Sequence, residues 1–176
     1  PQEKFEYDIR VTPQGEGVRI QVVLDKPLPA SLQGRAGFNM EFLPSAYFSK
    51  SWAMDARNGQ FPLYPSGPSS RAADGKTVRL PIASGNRLTL APEDPQRRVT
   101  IESRSGALGL YDGRNQAQNG WFVLRSVVPS DRTGTVIEWE LDANSVPGWL
   151  REPVIAHSQL GYAPNSSKVA TIELDR

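Results

Sequence analysis

Cysteine is missing from this chain altogether, and histidine occurs once, at His157. The first absence removes disulfides, thiolate nucleophiles and cysteine-ligated zinc together; the second removes a histidine-rich metal centre. Ser158 follows the lone histidine, but neighbours on a strand face opposite ways and do not form a nucleophile–base pair. His157 therefore reads as a surface or structural residue. Long apolar runs are lacking too, and none nears the roughly 20 residues that span a bilayer. Charge of one sign is not in excess. The chain has 20 Lys+Arg against 19 Asp+Glu, interspersed, and its densest basic cluster is only Arg97-Arg98. A nucleic-acid binder shows a basic stripe, so neither nucleic acid nor membrane is an expected partner. The chain opens on Pro1 rather than methionine. The expectation is a piece of a longer protein whose targeting segment lies outside it.

What the chain does have is punctuation. Fifteen Gly and fifteen Pro divide 176 residues into short pieces, and within the pieces apolar residues alternate. Phe5, Tyr7, Ile9 and Val11 share one face of the first piece. Val18, Ile20, Val22 and Leu24 share a face of the second, after a turn at Pro13-Gln14-Gly15. Further sets are Phe38/Met40/Phe42, Val78/Leu80/Ile82, Leu88/Leu90, Val99/Ile101, Leu108/Leu110, Phe122/Leu124 and Ile137/Trp139/Leu141. Period two marks half-buried strands, and no window shows a helical period. Many short strands separated by turn signals imply an all-β fold, a β-sandwich or jelly roll of antiparallel strands. The stretch 44–76, rich in Pro, Gly, Ser and aromatics, breaks the rhythm and reads as a long loop, functional or covering a sheet edge. A boundary falls near Asn144-Ser145-Val146-Pro147-Gly148, separating a β-domain over 1–146 from a segment over 147–176.

That last segment carries "VIAHSQLGYAPNSSKVATIEL", residues 154–174. Gln159, Gly161, Tyr162, Pro164 and Lys168, followed by an alternating strand, resemble the first strands of the immunoglobulin-like domain that precedes the catalytic domain in many glycoside hydrolase family 9 cellulases. The chain departs from the commonest form at His157-Ser158, where an Asn-Gln type pair often stands. Upstream, "GFNMEFLPSAYFSKSW", "LAPEDPQRRVTIES" and "LYDGRNQAQNGWFVLRS" resemble an extra N-terminal β-domain of some bacterial enzymes of that family. The resemblance implies an accessory module of a secreted or cell-surface polysaccharide-degrading enzyme, with the catalytic barrel elsewhere and the downstream domains as partners.

Residue chemistry points the same way. Glycosidases need two carboxylates flanking the scissile bond, and the spacing of Glu41, Asp55, Asp74, Glu93, Asp94 and Asp112 pairs none of them. Glu93-Asp94-Pro95 and Asp112-Gly113 are turn chemistry, Asp74-Gly75 is a hairpin signal, and Glu41 faces outward between Met40 and Phe42. The chain is therefore expected not to be an enzyme by itself, an independent glycosidase being the weakest of three readings. No cofactor is expected. A structural calcium is considered at Asp112 and Asn115, with Asn119 near, because hard cations want clustered oxygens; turn residues are the plainer account.

Binding is the reading left. A pyranose offers an apolar C–H face and a rim of hydroxyls, so proteins hold it with exposed aromatic rings and planar polar groups. Two stretches supply both. One holds Tyr47, Trp52 and Tyr64; the other holds Arg114, Asn115, Gln118, Asn119 and Trp121, and its amide side chains both donate and accept. The expected partner is a polysaccharide such as cellulose or β-glucan. Against this stands a structural module that packs on the immunoglobulin-like or catalytic domain. Trp139, in register with Ile137 and Leu141, is assigned to the core, whereas Trp121 is expected to point outward with Val123. Trp149, beside Pro147-Gly148, is expected to pack at the junction.

Overall fold

The computed structural model describes residues 4–115, 120–148, 150, 152–158 and 160–174. The chain divides into two compact units, Pro1–Ser145 and Val146–Arg176.

The first unit begins with strands β1 (Asp8–Gln14), β2 (Gly17–Leu24) and β3 (Gly37–Phe42). A single helical turn, α1 (Pro44–Tyr47), leads to β4 (Ser51–Met54), β5 (Arg57–Gln60), β6 (Ser69–Arg71) and β7 (Thr77–Arg79). Next come β8 (Ala83–Gly85), β9 (Arg87–Leu90), β10 (Val99–Ser103) and β11 (Leu108–Asp112). The last two are β12 (Phe122–Val127) and β13 (Gly134–Ala143). A seven-stranded sheet has the order β1-β2-β13-β10-β9-β4-β5, and a four-stranded sheet has the order β3-β12-β11-β8. All of the pairings are antiparallel. The all-β expectation holds.

Both sheets contribute to one apolar cluster. Val22, Leu24, Trp52, Met54, Leu88, Leu90, Ile101, Ile137 and Trp139 come from the larger sheet; Phe42, Ala83, Leu108, Leu110, Phe122 and Leu124 come from the smaller. Trp139 is sealed at its centre, edge-on to Phe38 at 4.9 Å between ring centroids. Its Nε1 donates to Ser126 Oγ at 3.0 Å, and that hydroxyl donates to the Ala107 carbonyl at 3.2 Å, so the buried N–H is satisfied. A bulge between Thr135 and Ile137 lets Val136 and Ile137 both turn inward, which strict alternation forbids.

Two expectations need correction. The stretch 44–76 is not a loop: it holds α1, β4, β5 and β6, and β4 lies inside the large sheet between β9 and β5. Trp52 and Met54 carry its period-two signal, obscured by flanking Ser, Gly and Pro. The first apolar set does not reach the core either. Tyr7, Ile9 and Val11 stay exposed, and Phe5 is only partly covered. Ile9 and Val11 pair with Val22 and Ile20 and so share the inward face of the large sheet. β1 is the edge strand of the larger sheet, and all seven of its residues are exposed.

The second unit contains a two-stranded ribbon, β14 (Val154–His157) paired with β15 (Ala170–Glu173), whose side chains are exposed. Its connection is well braced. Gly161 takes φ +82°, and the Tyr162 hydroxyl donates to the Val169 carbonyl. Lys168 Nζ donates to the carbonyls of Ala163, Pro164 and Ser166 at 2.8–3.1 Å. The Gly-Tyr-x-Pro…Lys pattern is thus a self-bonded turn. Trp149 and Gln159 lie outside the described residues.

Candidate functional site

The connection from β11 to β12 begins at Asp112, whose strand partner is Phe122. The Asp-Gly pair turns the chain: Asp112 Oδ1 accepts from the Arg114 backbone N–H at 3.2 Å, and Gly113 N–H donates to the Trp121 carbonyl at 2.9 Å. Arg114 then folds back over the turn. Its Nε and Nη2 donate to the two oxygens of Asp112 at 2.8 and 2.9 Å, a bidentate pair. The guanidinium also donates to three carbonyls of another segment: Pro62 at 2.8 Å, Leu63 at 2.9 Å and Tyr64 at 3.1 Å. Its central carbon lies 4.6 Å from the Phe122 ring centroid and 5.3 Å from that of Phe48. The Ser66 N–H closes the set by donating to Asp112 Oδ2 at 3.0 Å.

This ion pair is buried; the side chains of Arg114 and Asp112 are 9% and 0% exposed. Burial alone would push the Asp112 carboxyl up. The Arg114 guanidinium and the N–H groups of Ser66 and Arg114 outweigh it, holding the group below the usual carboxylate range. Asp112 is therefore an anchor, and its oxygens are taken up by Arg114 and Ser66. Asp112 thus serves the turn, the plainer of the two accounts the sequence offered for it. Among the described residues no cluster of three or more acidic or histidine side chains is arranged for a metal.

Two aromatic side chains project from this anchor. Tyr64 is 76% exposed and Trp121 38% exposed. Consecutive residues of one turn, Gly113 and Arg114, hold their carbonyls. Hence Tyr64 is largely wet and Trp121 partly so, and their backbones are bound to the same turn. Val123, expected to face outward with Trp121, is buried.

Three other predicted residues are corrected. Tyr47 is buried in α1, edge-on to Phe42 and Phe61, with its hydroxyl donating to the Arg97 carbonyl at 3.0 Å. Trp52 is 4% exposed and belongs to the core through β4. Arg114 has every terminal nitrogen engaged by the protein, so it positions the site without facing it. Gln118, Asn119 and the side chain of Asn115 lie outside the described residues.

Comparison with known protein families, curated proteins and solved structures returns no match. Sequence reasoning missed two further surfaces. One is the stripe Phe5, Tyr7 and Ile9, which lines an apolar groove with Leu28, Ala36 and Phe38. The other is a polar groove on the outer face of the large sheet. For both, alternation indicates which side chains share a face, but not whether that face is covered.

Proposed function

We propose that the first unit is a non-catalytic carbohydrate-binding module of a secreted plant-polysaccharide-degrading enzyme of the family 9 β-1,4-glucanase type, holding β-glucan or cellulose through Tyr64 and Trp121. The observation that carries this reading is the mounting of two exposed rings on the buried Asp112–Arg114 pair. A ring held on a rigid base loses little freedom when a sugar stacks on it, so more of the contact energy appears as affinity. The resemblance of residues 154–174 supplies the cellulase context.

Affinity electrophoresis in soluble β-glucan and xylan, with pull-down on insoluble cellulose, tests the proposal. The unaltered chain should be retarded, and Tyr64→Ala or Trp121→Ala should weaken binding about tenfold, near 1.4 kcal/mol. Absence of retardation on every glycan would overturn it. Equal retardation of all three proteins would overturn the site.

A second reading is favoured by the uncovered face of β1. Tyr7, Ile9 and Val11, with Phe5 before them, form a contiguous exposed apolar stripe, the kind of patch that marks a packing surface. On this reading the unit serves to brace a neighbouring domain of the parent enzyme.

A further inference from the structure

The outer face of the large sheet is a polar ladder. Strand alternation puts Leu88, Leu90 and Ile101 in the core and turns Arg87, Thr89, Thr100 and Glu102 to the other side. Thr100 pairs with Thr89 on one flank and with Asp142 on the other, so the three form one row across β9, β10 and β13. Arg98 and Asn144 lie at the next position along the same strands. Together with Arg87 they line a groove of about 340 Å³, within the size range of small-ligand sites.

Charge distinguishes this groove from the rest of the face. Elsewhere on the face the arginines are paired: Arg19 meets Glu138 and Glu140 at 3.5 and 3.1 Å, and Arg104 meets Glu102 and Glu140 at 2.7 and 2.8 Å. Within the groove, neither guanidinium has a carboxylate within salt-bridge distance among the described residues. Arg98 makes a long contact of 3.4 Å to the neutral Asn144 amide, and its Nε is sealed from solvent with no hydrogen-bond partner. The protein thus leaves that N–H without a partner. Arg87 makes no side-chain hydrogen bond among the described residues. The groove lining holds two guanidiniums against the single Asp142 carboxylate, and Glu102, the cross-strand partner of Arg87 on the same face, is engaged by Arg104 at 2.7 Å.

We propose that this groove is a second glycan subsite that takes a uronic-acid residue of an acidic polysaccharide. A carboxylate between Arg87 and Arg98 would supply the missing counter-charge, and planar guanidiniums suit a planar carboxylate. The flanking hydroxyls of Thr89 and Thr100 and the carboxylate of Asp142 are partners for sugar hydroxyls. Asp142 also sets the selectivity. Its negative charge repels a compact dianion such as phosphate more than a monoanionic sugar acid. The subsite stands independently of the Tyr64–Trp121 reading, since the two share no residue.

Calorimetric titration of the full chain separates the possibilities. The probes are an oligogalacturonate, a glucuronic-acid-substituted xylo-oligosaccharide, their methyl esters, and sodium sulfate and phosphate. Acid forms should bind about tenfold or more tightly than their esters, weakening as salt rises. Arg87→Gln and Arg98→Gln should each lower that affinity about tenfold, while Tyr64→Ala leaves it unchanged. Arg87→Gln is the decisive variant if Arg98→Gln perturbs folding. Equal binding of acid and ester, or no binding of either, overturns the proposal. Competition by sulfate or phosphate at the same concentration as the sugar acid would reduce the groove to a general anion site and overturn the glycan assignment.

Discussion

The indole of Trp52 lies against the bare backbone of Gly59, its antiparallel partner on β5. A Cβ at Gly59 would stand 2.5 Å from Trp52 Cζ2. That approach seals Trp52 into the core and withdraws it from any role at the surface. Gly59→Ala should force the ring or the edge strand to move, costing about 1–3 kcal/mol as overpacking does. Urea unfolding would measure the loss, and near-ultraviolet circular dichroism would report the displaced indole.

The Asp112–Arg114 pair should matter to stability and binding together. Arg114→Ala leaves a carboxylate buried without its partner, a change that costs about 3–5 kcal/mol. It also frees the carbonyls of residues 62–64 that Arg114 holds. The expected outcome is a lower unfolding midpoint together with weaker glycan retardation at temperatures where the variant remains folded. Retention of full stability would show that the pair is not the anchor the geometry makes it.

Acid should unfold the first unit in a defined window. Lys50, at 2.9 Å, burial notwithstanding, and Arg97, also at 2.9 Å, draw the Asp94 carboxyl down to about 2. Asp112, Glu93 and Glu140 are lowered as well. Groups with depressed folded values contribute stability that is complete above their unfolded values, near 4, and lost as pH falls through the folded ones. Stability should hold above about pH 5 and fall between about pH 4 and 2. Asp94→Asn should flatten part of that fall in urea titrations at stepped pH.

The β1 stripe should behave as a surface. Ile9→Thr with Val11→Thr should change the stability of the isolated chain by no more than about 0.5 kcal/mol, because these side chains are already wet. If, as the second proposed reading has it, the stripe packs on a neighbouring domain, the same pair of substitutions in a chain that includes such a domain should lower its unfolding temperature. Differential scanning of both forms checks this. A large loss in the isolated chain would mean that the stripe is covered within the unit.

The sequence makes the site only half legible. Trp139 declares itself as core through its register with Ile137 and Leu141, and Asp112-Gly113 declares a turn. Tyr47, Trp52 and Tyr64 look alike, three aromatics in a Pro- and Gly-rich stretch, yet the first two are buried and the third is wet. The period-two signal of Trp52 with Met54 is only four residues long. Nothing local separates Tyr47 from Tyr64, because exposure depends on what arrives from other elements, such as Phe42 and Phe61 against Tyr47. Arg114 reads as a sugar contact for the same reason. The partners at 62–64 that occupy it are some fifty positions away in the chain.

Alternation and turn residues determined the class of this protein, since period two and frequent Gly and Pro leave little but short antiparallel strands. They also determined which side chains share a face. Only the tertiary structure decided which faces are covered. A seven-stranded sheet stacked on a four-stranded one buries Leu24, leaves Ile9 in water, and leaves the Arg87–Arg98 groove open on the outer side. Burial is set by what arrives from distant parts of the chain, and a local pattern carries no record of that.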